Sequence, residues 1–316
     1  MITILGPTAC GKTALAVNLA AKTGGEIISA DSRQVYRGMD IGTGKDLSEY
    51  NVDGKQIAYH LIDIEDAGQK YNLFRFQEDF NVAYEDIANR GVLPILCGGT
   101  GLYMEAVLKG YALSPVPQDD NLRKKLSART LAELKELLVW LKARNGSVMH
   151  NETDVDTISR AIRAIEIEFH NLRRPVDTRR LPAVSSLIVG LDVGRDVRRE
   201  RITARLKARL EEGMVEEVRG LLEKNGIAKE NLMYYGLEYK YVTAFVVGEM
   251  SYDDMFRQLE IAIHQFAKRQ MTWFRGMERR GFNIHWLNAS MPMADKLAQI
   301  ERWMEQEDET IYGKRR

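Results

Sequence analysis

Cysteine is nearly absent. Cys10 and Cys97 are the two in 316 residues, too few for a disulfide framework. Both sit in or beside predicted strand-end turns, where a small apolar side chain fills space. Excess charge of one sign is missing too: 45 Lys and Arg balance 45 Asp and Glu. A nucleic-acid partner would therefore have to be met by a local basic face, because the whole molecule offers no attractive monopole. No apolar run is long enough to cross a bilayer, no zinc-ligand spacing occurs, and there are no repeats or low-complexity tracts. An apolar strand beginning at Met1 predicts no secretory leader and a reducing, cytoplasmic setting. What is present is ordinary: 45% apolar and 28% charged residues, enough for a full α/β core and a second lobe.

The rest of the chain is organised around Gly6-Pro7-Thr8-Ala9-Cys10-Gly11-Lys12-Thr13. It follows an apolar run, Met1 to Leu5, and opens an amphipathic helical pattern from Ala14 to Ala20. Strand, glycine-bounded turn and helix are the context a phosphate-binding loop of the form G-x-x-x-x-G-K-[ST] requires. Gly6 and Gly11 let the backbone wrap with N–H groups inward, an anion nest at a helix N-terminus. Lys12 adds a point charge for a phosphate oxygen, and the Thr13 hydroxyl stands where it would hold Mg²⁺. The loop alone leaves ATP, GTP and other diphosphates open.

Downstream, Glu26 to Ala30 reads as a short buried strand delivering Asp31 to the sheet edge beside the loop. A strand-end Asp there serves as a helix N-cap, a Mg²⁺ ligand or a base. A further strand is expected at Tyr59 to Ile64, a helix at Phe74 to Asn89 with Phe76, Phe80, Ala83 and Ile87 on one face, and an apolar strand at Val92 to Leu96. That strand ends in Gly98-Gly99-Thr100-Gly101, a glycine turn suited to close backbone approach to a ligand. The fold class expected is α/β: a P-loop NTPase-like parallel sheet flanked by helices, with a helical insertion.

The alternation stops between Pro115 and Pro182. Residues 112–185 form the expected helical insertion domain, including a capping box at Thr130 to Glu133, while 1–111 and 186–316 form the core. After a strand in Val184 to Val193, Asp196 to Leu222 is predicted as one long helix. Its buried stripe runs through Ile202, Leu206, Leu210, Met214, Val218 and Leu221, and Arg198, Arg201, Arg205 and Arg209 share the flank. A second helix, Asp253 to Arg279, turns Met255, Leu259, Ala262, Phe266 and Trp273 to the core and Arg257, His264, Lys268, Arg275 and Arg279 to one polar face. Two basic faces in a chain of zero net charge favour a phosphate-rich partner.

The residues resemble the tRNA dimethylallyltransferases (tRNA isopentenyltransferases) over nearly the whole chain. The phosphate loop, Asp31-Ser32-Arg33-Gln34-Val35-Tyr36-Arg37-Gly38-Met39-Asp40-Ile41-Gly42-Thr43, His60-Leu61-Ile62-Asp63, Gly98 to Tyr103 and Ala267 to Arg275 carry the likeness; the second and last together are specific. Two stretches depart from the family pattern. Gly44-Lys45-Asp46 replaces the usual Ala-Lys-Pro, and Tyr235-Gly236-Leu237-Glu238-Tyr239-Lys240 replaces the usual Gly-Tyr-Lys/Arg-Glu run.

The resemblance implies transfer of a dimethylallyl group from dimethylallyl diphosphate to the exocyclic amine of the adenosine 3′-adjacent to the anticodon, with Mg²⁺. It implies Asp31 as general base, Thr100 as a substrate-positioning residue, and residues 6–13 with Arg195 on the pyrophosphate. The anticodon stem-loop is expected to meet Asp31, Ser32, Arg33, Gln34, Thr100, Arg123, Asp156, Thr157, Ile158, Ser159, Arg160, Lys268 and Arg275. No membrane is involved, and a monomer is expected. Three other readings stay open on the residues: a small-molecule kinase with ATP on the loop, a non-catalytic RNA-binding protein, and a cytokinin-type enzyme prenylating free adenylate. Two long basic helices and a large insertion are excessive for a metabolite kinase. Intact Lys12, Thr13 and Asp31 argue against decay.

Overall fold

The computed structural model describes residues 1–113, 115–146, 155–173 and 182–312, the last six as backbone only. These residues divide into two compact units, Met1–Gly110 with Pro182–Arg316, and Tyr111–Leu181.

The larger unit is built on a parallel sheet of six strands. In chain order they are β1 (Ile2–Leu5), β2 (Glu26–Ser29), β5 (Tyr59–His60), β6 (Pro94–Gly98), β7 (Leu187–Asp192) and β8 (Ile284–Asn288); β3 (Asn51–Val52) and β4 (Lys55–Gln56) form a small antiparallel pair. The order across the sheet is β5-β2-β6-β1-β7-β8. Successive strand residues point to opposite faces, and both faces are covered. Leu5, Ile28, Leu96 and Ile188 join one core, whereas Ile4, Ile27, Ile95 and Val189 join the other. Burial on both sides explains why these strands are continuous apolar runs.

Register fixes where the chemistry goes. Leu5 pairs with Gly98 and with Gly190, and Ser29 pairs with Cys97. The carboxyl ends of β2, β6, β1 and β7 therefore finish at one edge, and the turns that follow them are neighbours there.

Helices α1 (Lys12–Thr23), α2 (Leu73–Asn89), α3 (Gly101–Lys109), α7 (Arg195–Glu211), α8 (Met214–Glu223), α9 (Lys229–Leu232), α10 (Leu237–Val246), α11 (Tyr252–Arg279) and α12 (Met293–Tyr312) complete this unit. The smaller unit holds α4 (Asp120–Leu126), α5 (Leu131–Asn145) and α6 (Ile158–Arg173). These three pack around Leu126, Leu134, Leu138, Leu141, Ile162 and Ile165. The capping box at Thr130 and Glu133 is formed as expected.

Four expectations about local structure are corrected. The single helix from Asp196 to Leu222 is two, because Gly213 adopts φ 103° between α7 and α8, a left-handed turn that an L-residue resists. The strand at Tyr59 to Ile64 stops at His60, since Leu61 and Asp63 have φ of 62° and 56°. Phe266 is 39% exposed and not in the core. The arginine flank of α7 is largely engaged: Arg198 pairs with Asp192 at 3.0 Å, Arg205 pairs with Asp46, and Arg209 is buried. Helical spacing alone could not reveal these partners, Asp192 at the end of β7 and Asp46 in a loop far away in sequence. Among the described residues no helix is long and apolar enough to cross a membrane.

Candidate active site

Residues 6–13 wrap from β1 into α1 as the motif requires. Gly11 caps the helix in the left-handed region at φ 84°, and Ala9 also has positive φ. Alternating conformations of this kind turn successive N–H groups into one concavity. The Lys12 ammonium reaches back over the loop, donating to the Pro7 carbonyl at 2.7 Å and to Cys10 Sγ at 3.9 Å. Thr13 lies in the first turn of α1, half-buried. Cys10 and Cys97 are buried free thiols, and burial pushes the Cys97 thiol up to about 12. Both fill space, as anticipated.

Asp31 and Thr100 belong to the two turns beside this loop, and those turns are stitched together. Ala30 N–H donates to the Cys97 carbonyl at 2.8 Å, and Thr100 N–H returns to the Ala30 carbonyl at 3.3 Å. Thr100 Oγ1 accepts from Ser32 N–H at 3.3 Å, while Asp31 Oδ1 accepts from Arg33 N–H at 2.9 Å. Gln34 turns inward: its amide accepts from Ser29 Oγ at 2.8 Å and donates to the Gly44 carbonyl at 2.9 Å.

One residue ties these turns to the phosphate loop, and motif reading gave it no role. Gln270 of α11, buried, accepts from Thr8 N–H at 2.8 Å and donates to the Gly99 carbonyl at 3.0 Å. The signal available in the sequence was a polar side chain on a core stripe, since Ala267, Gln270, Met271 and Phe274 share the buried face of α11. Glu217 was missed likewise. Its carboxylate accepts from the N–H groups of Asp40, Ile41 and Gly42 at 2.8, 2.7 and 3.0 Å and from the Tyr239 hydroxyl at 2.6 Å. Lys45, buried, pairs with Asp40 at 2.6 Å and with Asp63, and donates to the Tyr36 carbonyl at 2.7 Å. The long signature from Asp31 to Thr43 is thus held at its far end by a carboxylate and an ammonium.

The two departures from the family pattern meet in space. Asp46 lies 3.7 Å from Arg209, and Arg209 lies 4.0 Å from Glu238. Burial lowers the Arg209 pKa and raises that of Glu238, so each depends on the other to stay charged. Arg209 and Glu238 line a small cavity with Arg205 and with Thr8 and Ala9 of the phosphate loop.

The remaining candidates belong to other elements. Arg195 opens α7 and borders a depression of about 380 Å³ with Arg198, Arg275 and Asn288, sharing no residue with the phosphate loop. Lys268 and Arg275 are exposed on α11. Within the helical unit, Arg123 is committed to the buried carboxylate of Glu166 by a two-pronged pair at 2.6 and 2.7 Å, so its place in the sequence reflects local packing first. Thr157 caps α6, accepting from Arg160 N–H at 3.3 Å, and Asp156 pairs with Arg160 at 2.8 Å. Ile158 and Ser159 are exposed beside them.

A family model described as IPP transferase matches residues 34–277, and one described as isopentenyl transferase matches residues 1–60. The chain belongs to the IPP transferase family. A Bacteroides fragilis protein named tRNA dimethylallyltransferase 2 is 58% identical to this IPP transferase over 302 residues, covering 96% of this chain and 97% of the other. A Porphyromonas gingivalis protein named tRNA dimethylallyltransferase 1 is 61% identical over 300 residues, 95% of this chain and 97% of its own length. The crystal structure of the tRNA isopentenylpyrophosphate transferase of Bacillus halodurans matches with a TM-score of 0.70 at 31% identity, over 98% of this chain and 96% of that one.

Proposed function

We propose that this IPP transferase moves the dimethylallyl group of dimethylallyl diphosphate onto the exocyclic amine of the adenosine 3′-adjacent to the anticodon in tRNA. The observation that carries the reading is the hydrogen-bonded pair of turns bearing Asp31 and Thr100, tied by Gln270 to a phosphate loop.

An aromatic exocyclic amine is a weak nucleophile because its lone pair is delocalised into the ring. The electrophile must therefore be made good. As the nitrogen attacks C1 of the allyl group, the C1–O bond breaks and its electron pair leaves with pyrophosphate. Loop N–H groups and the Lys12 ammonium stabilise the charge that develops on the leaving oxygens. Asp31, anchored through one carboxylate oxygen, takes the amine proton with the other. Thr100 orients the adenine edge through its hydroxyl. The base has to leave its stack to reach this pocket, which is cheapest from a single-stranded loop.

Mg²⁺ fits the site as a companion of the substrate. The described residues contain no cluster of three His, Cys, Asp or Glu side chains able to hold a metal, and Mg²⁺ commonly binds through one or two protein oxygens plus substrate phosphates. Thr13 Oγ1 would be the protein ligand, and the ion would supply charge neutralisation on the diphosphate. The helical unit, through Asp156 to Arg160, and the α11 face bearing Lys268 and Arg275 would grip the anticodon arm. We take the working form to be a monomer in the cytoplasm.

The test is to supply unmodified tRNA, Mg²⁺ and dimethylallyl diphosphate and follow pyrophosphate release. Release that depends on tRNA supports the reading. Release with adenylate alone favours the cytokinin-type reaction, and turnover that requires ATP and no tRNA favours a kinase.

A further inference from the structure

Tyr234 is 54% exposed although the tyrosine beside it is buried. Tyr235 anchors the segment, accepting from Gly68 N–H at 2.7 Å and donating to the Gln69 carbonyl at 2.8 Å. Its ring meets Tyr234 edge-on with centroids 6.0 Å apart. The Arg33 guanidinium lies over the Tyr234 ring, 5.2 Å from its centroid, a cation–π distance. Through its backbone, Arg33 is also the donor that fixes the Asp31 carboxylate. Tyr234 is thus an exposed aromatic plate held by an anchored neighbour and topped by the guanidinium of Arg33, the residue whose N–H fixes the Asp31 carboxylate.

The buried pair Tyr36 and Tyr235 already packs ring against ring, tilted by 57° with centroids 4.5 Å apart, while Tyr234 stays exposed beside it. An exposed ring and an arginine plane together are what unpaired bases of RNA stack upon. Stacking of this kind is tolerant of sequence because every base has a π-face. We propose that Tyr234 and Arg33 form a stacking platform for an unpaired nucleobase flanking the acceptor adenine. The inference rests on the reading of the substrate as a tRNA loop. It assigns to Tyr234 a task that no motif of the chain announces, because the residue adjoins a stretch that departs from the family pattern.

The test uses an anticodon stem-loop RNA and the full chain. The Kd for RNA is measured for the wild type, Tyr234→Ala, Tyr234→Phe and Tyr234→Trp, alongside the Kd for dimethylallyl diphosphate. Base–aromatic stacking predicts a loss of about tenfold or more in RNA affinity for Tyr234→Ala, little loss for Phe or Trp, and unchanged diphosphate affinity. A second series removes the base at each nucleotide flanking the acceptor. At one of them the wild type should fall to the affinity of Tyr234→Ala, and that variant should lose nothing further. Unchanged RNA affinity in Tyr234→Ala overturns the platform, as does a loss that every abasic RNA leaves additive. A rise in diphosphate Kd would instead make Tyr234 a wall for the prenyl chain and also overturns it. Turnover is read separately, so a wild type that binds RNA without prenylating it refutes the proposed reaction while the platform stands on its own affinities.

Discussion

In the proposed reaction the chemistry turns on Asp31. One carboxylate oxygen is held by Arg33 N–H, so the group is oriented before substrate arrives. Asp31→Ala should lower turnover about 10²–10⁴-fold, the usual worth of a general base, with little change in diphosphate affinity. A single-turnover assay checks this, and a loss smaller than tenfold would remove the assignment. Gln270 makes a different prediction. Gln270→Ala frees Thr8 N–H and unties Gly99, and misplacement of reacting groups by about 1 Å costs on the order of 10²-fold. Gln270→Glu keeps an acceptor for Thr8 but sets a carboxylate against the Gly99 carbonyl beside the diphosphate, so it should raise the KM for dimethylallyl diphosphate more than the alanine variant does. Equal effects of the two on that KM would reduce Gln270 to packing. The roles proposed for Lys12 and Thr13 could be read from a motif because the loop is contiguous in sequence. Gln270 could not, because its two partners are Thr8 and Gly99 and nothing in a helical pattern points at loops so far away in sequence.

Among the elements, the long signature loop shows how a motif can be legible while its support is not. Asp31 to Thr43 was identifiable as a unit, yet its far end is held by Glu217 at the start of α8. Glu217→Ala would strand three backbone donors, costing about 1–3 kcal/mol, and should lower the thermal midpoint and kcat together. Glycines betray the breaks that periodicity hides: Gly213 splits the basic helix, and the apolar stripe carries on across the gap through Met214 and Val218. Charge spacing was the weaker guide. Arg205 and Arg209 fall on the expected flank but meet Asp46 and Glu238 from the two departing stretches, pairings that only the fold creates. At the opposite end of β2, Glu26 is clamped by the Arg90 fork at 2.6 and 2.8 Å and by His60 at 2.8 Å. The Arg90 hydrogen bonds, with His60 adding to them, hold its carboxyl at about 2, below the ordinary 4.5. A depressed carboxylate stabilises the fold above its unfolded pKa and loses that contribution as the pH falls through the folded one. Wild-type stability should therefore decline between pH 4.5 and 2 more steeply than that of Glu26→Gln. Parallel acid denaturation profiles would contradict the clamp.

For the whole molecule, zero net charge means that tRNA affinity has to come from local faces. Neutralising Lys268 and Arg275 together should weaken tRNA binding and flatten its salt dependence, by about 0.7–0.9 in log–log slope for each phosphate left without its cation. Dimethylallyl diphosphate should still bind, because its loop lies at the strand ends and not on that helix face. An unchanged slope would return α11 to the role of a solvated surface. The α/β class, the parallel sheet and the interruption by helices all follow from apolar runs and prolines, because burial on both faces leaves a pattern that needs no partner to be read. The most direct test of the central claim is to incubate the protein with unmodified tRNA, Mg²⁺ and dimethylallyl diphosphate, digest the tRNA, and locate the added five-carbon group by mass spectrometry. The account predicts a single prenylated adenosine, 3′-adjacent to the anticodon and modified on its exocyclic amine, formed about 10²–10⁴-fold more slowly when Asp31→Ala replaces the wild type. Prenylation of free adenylate with unmodified tRNA, or no transfer at all, would contradict it.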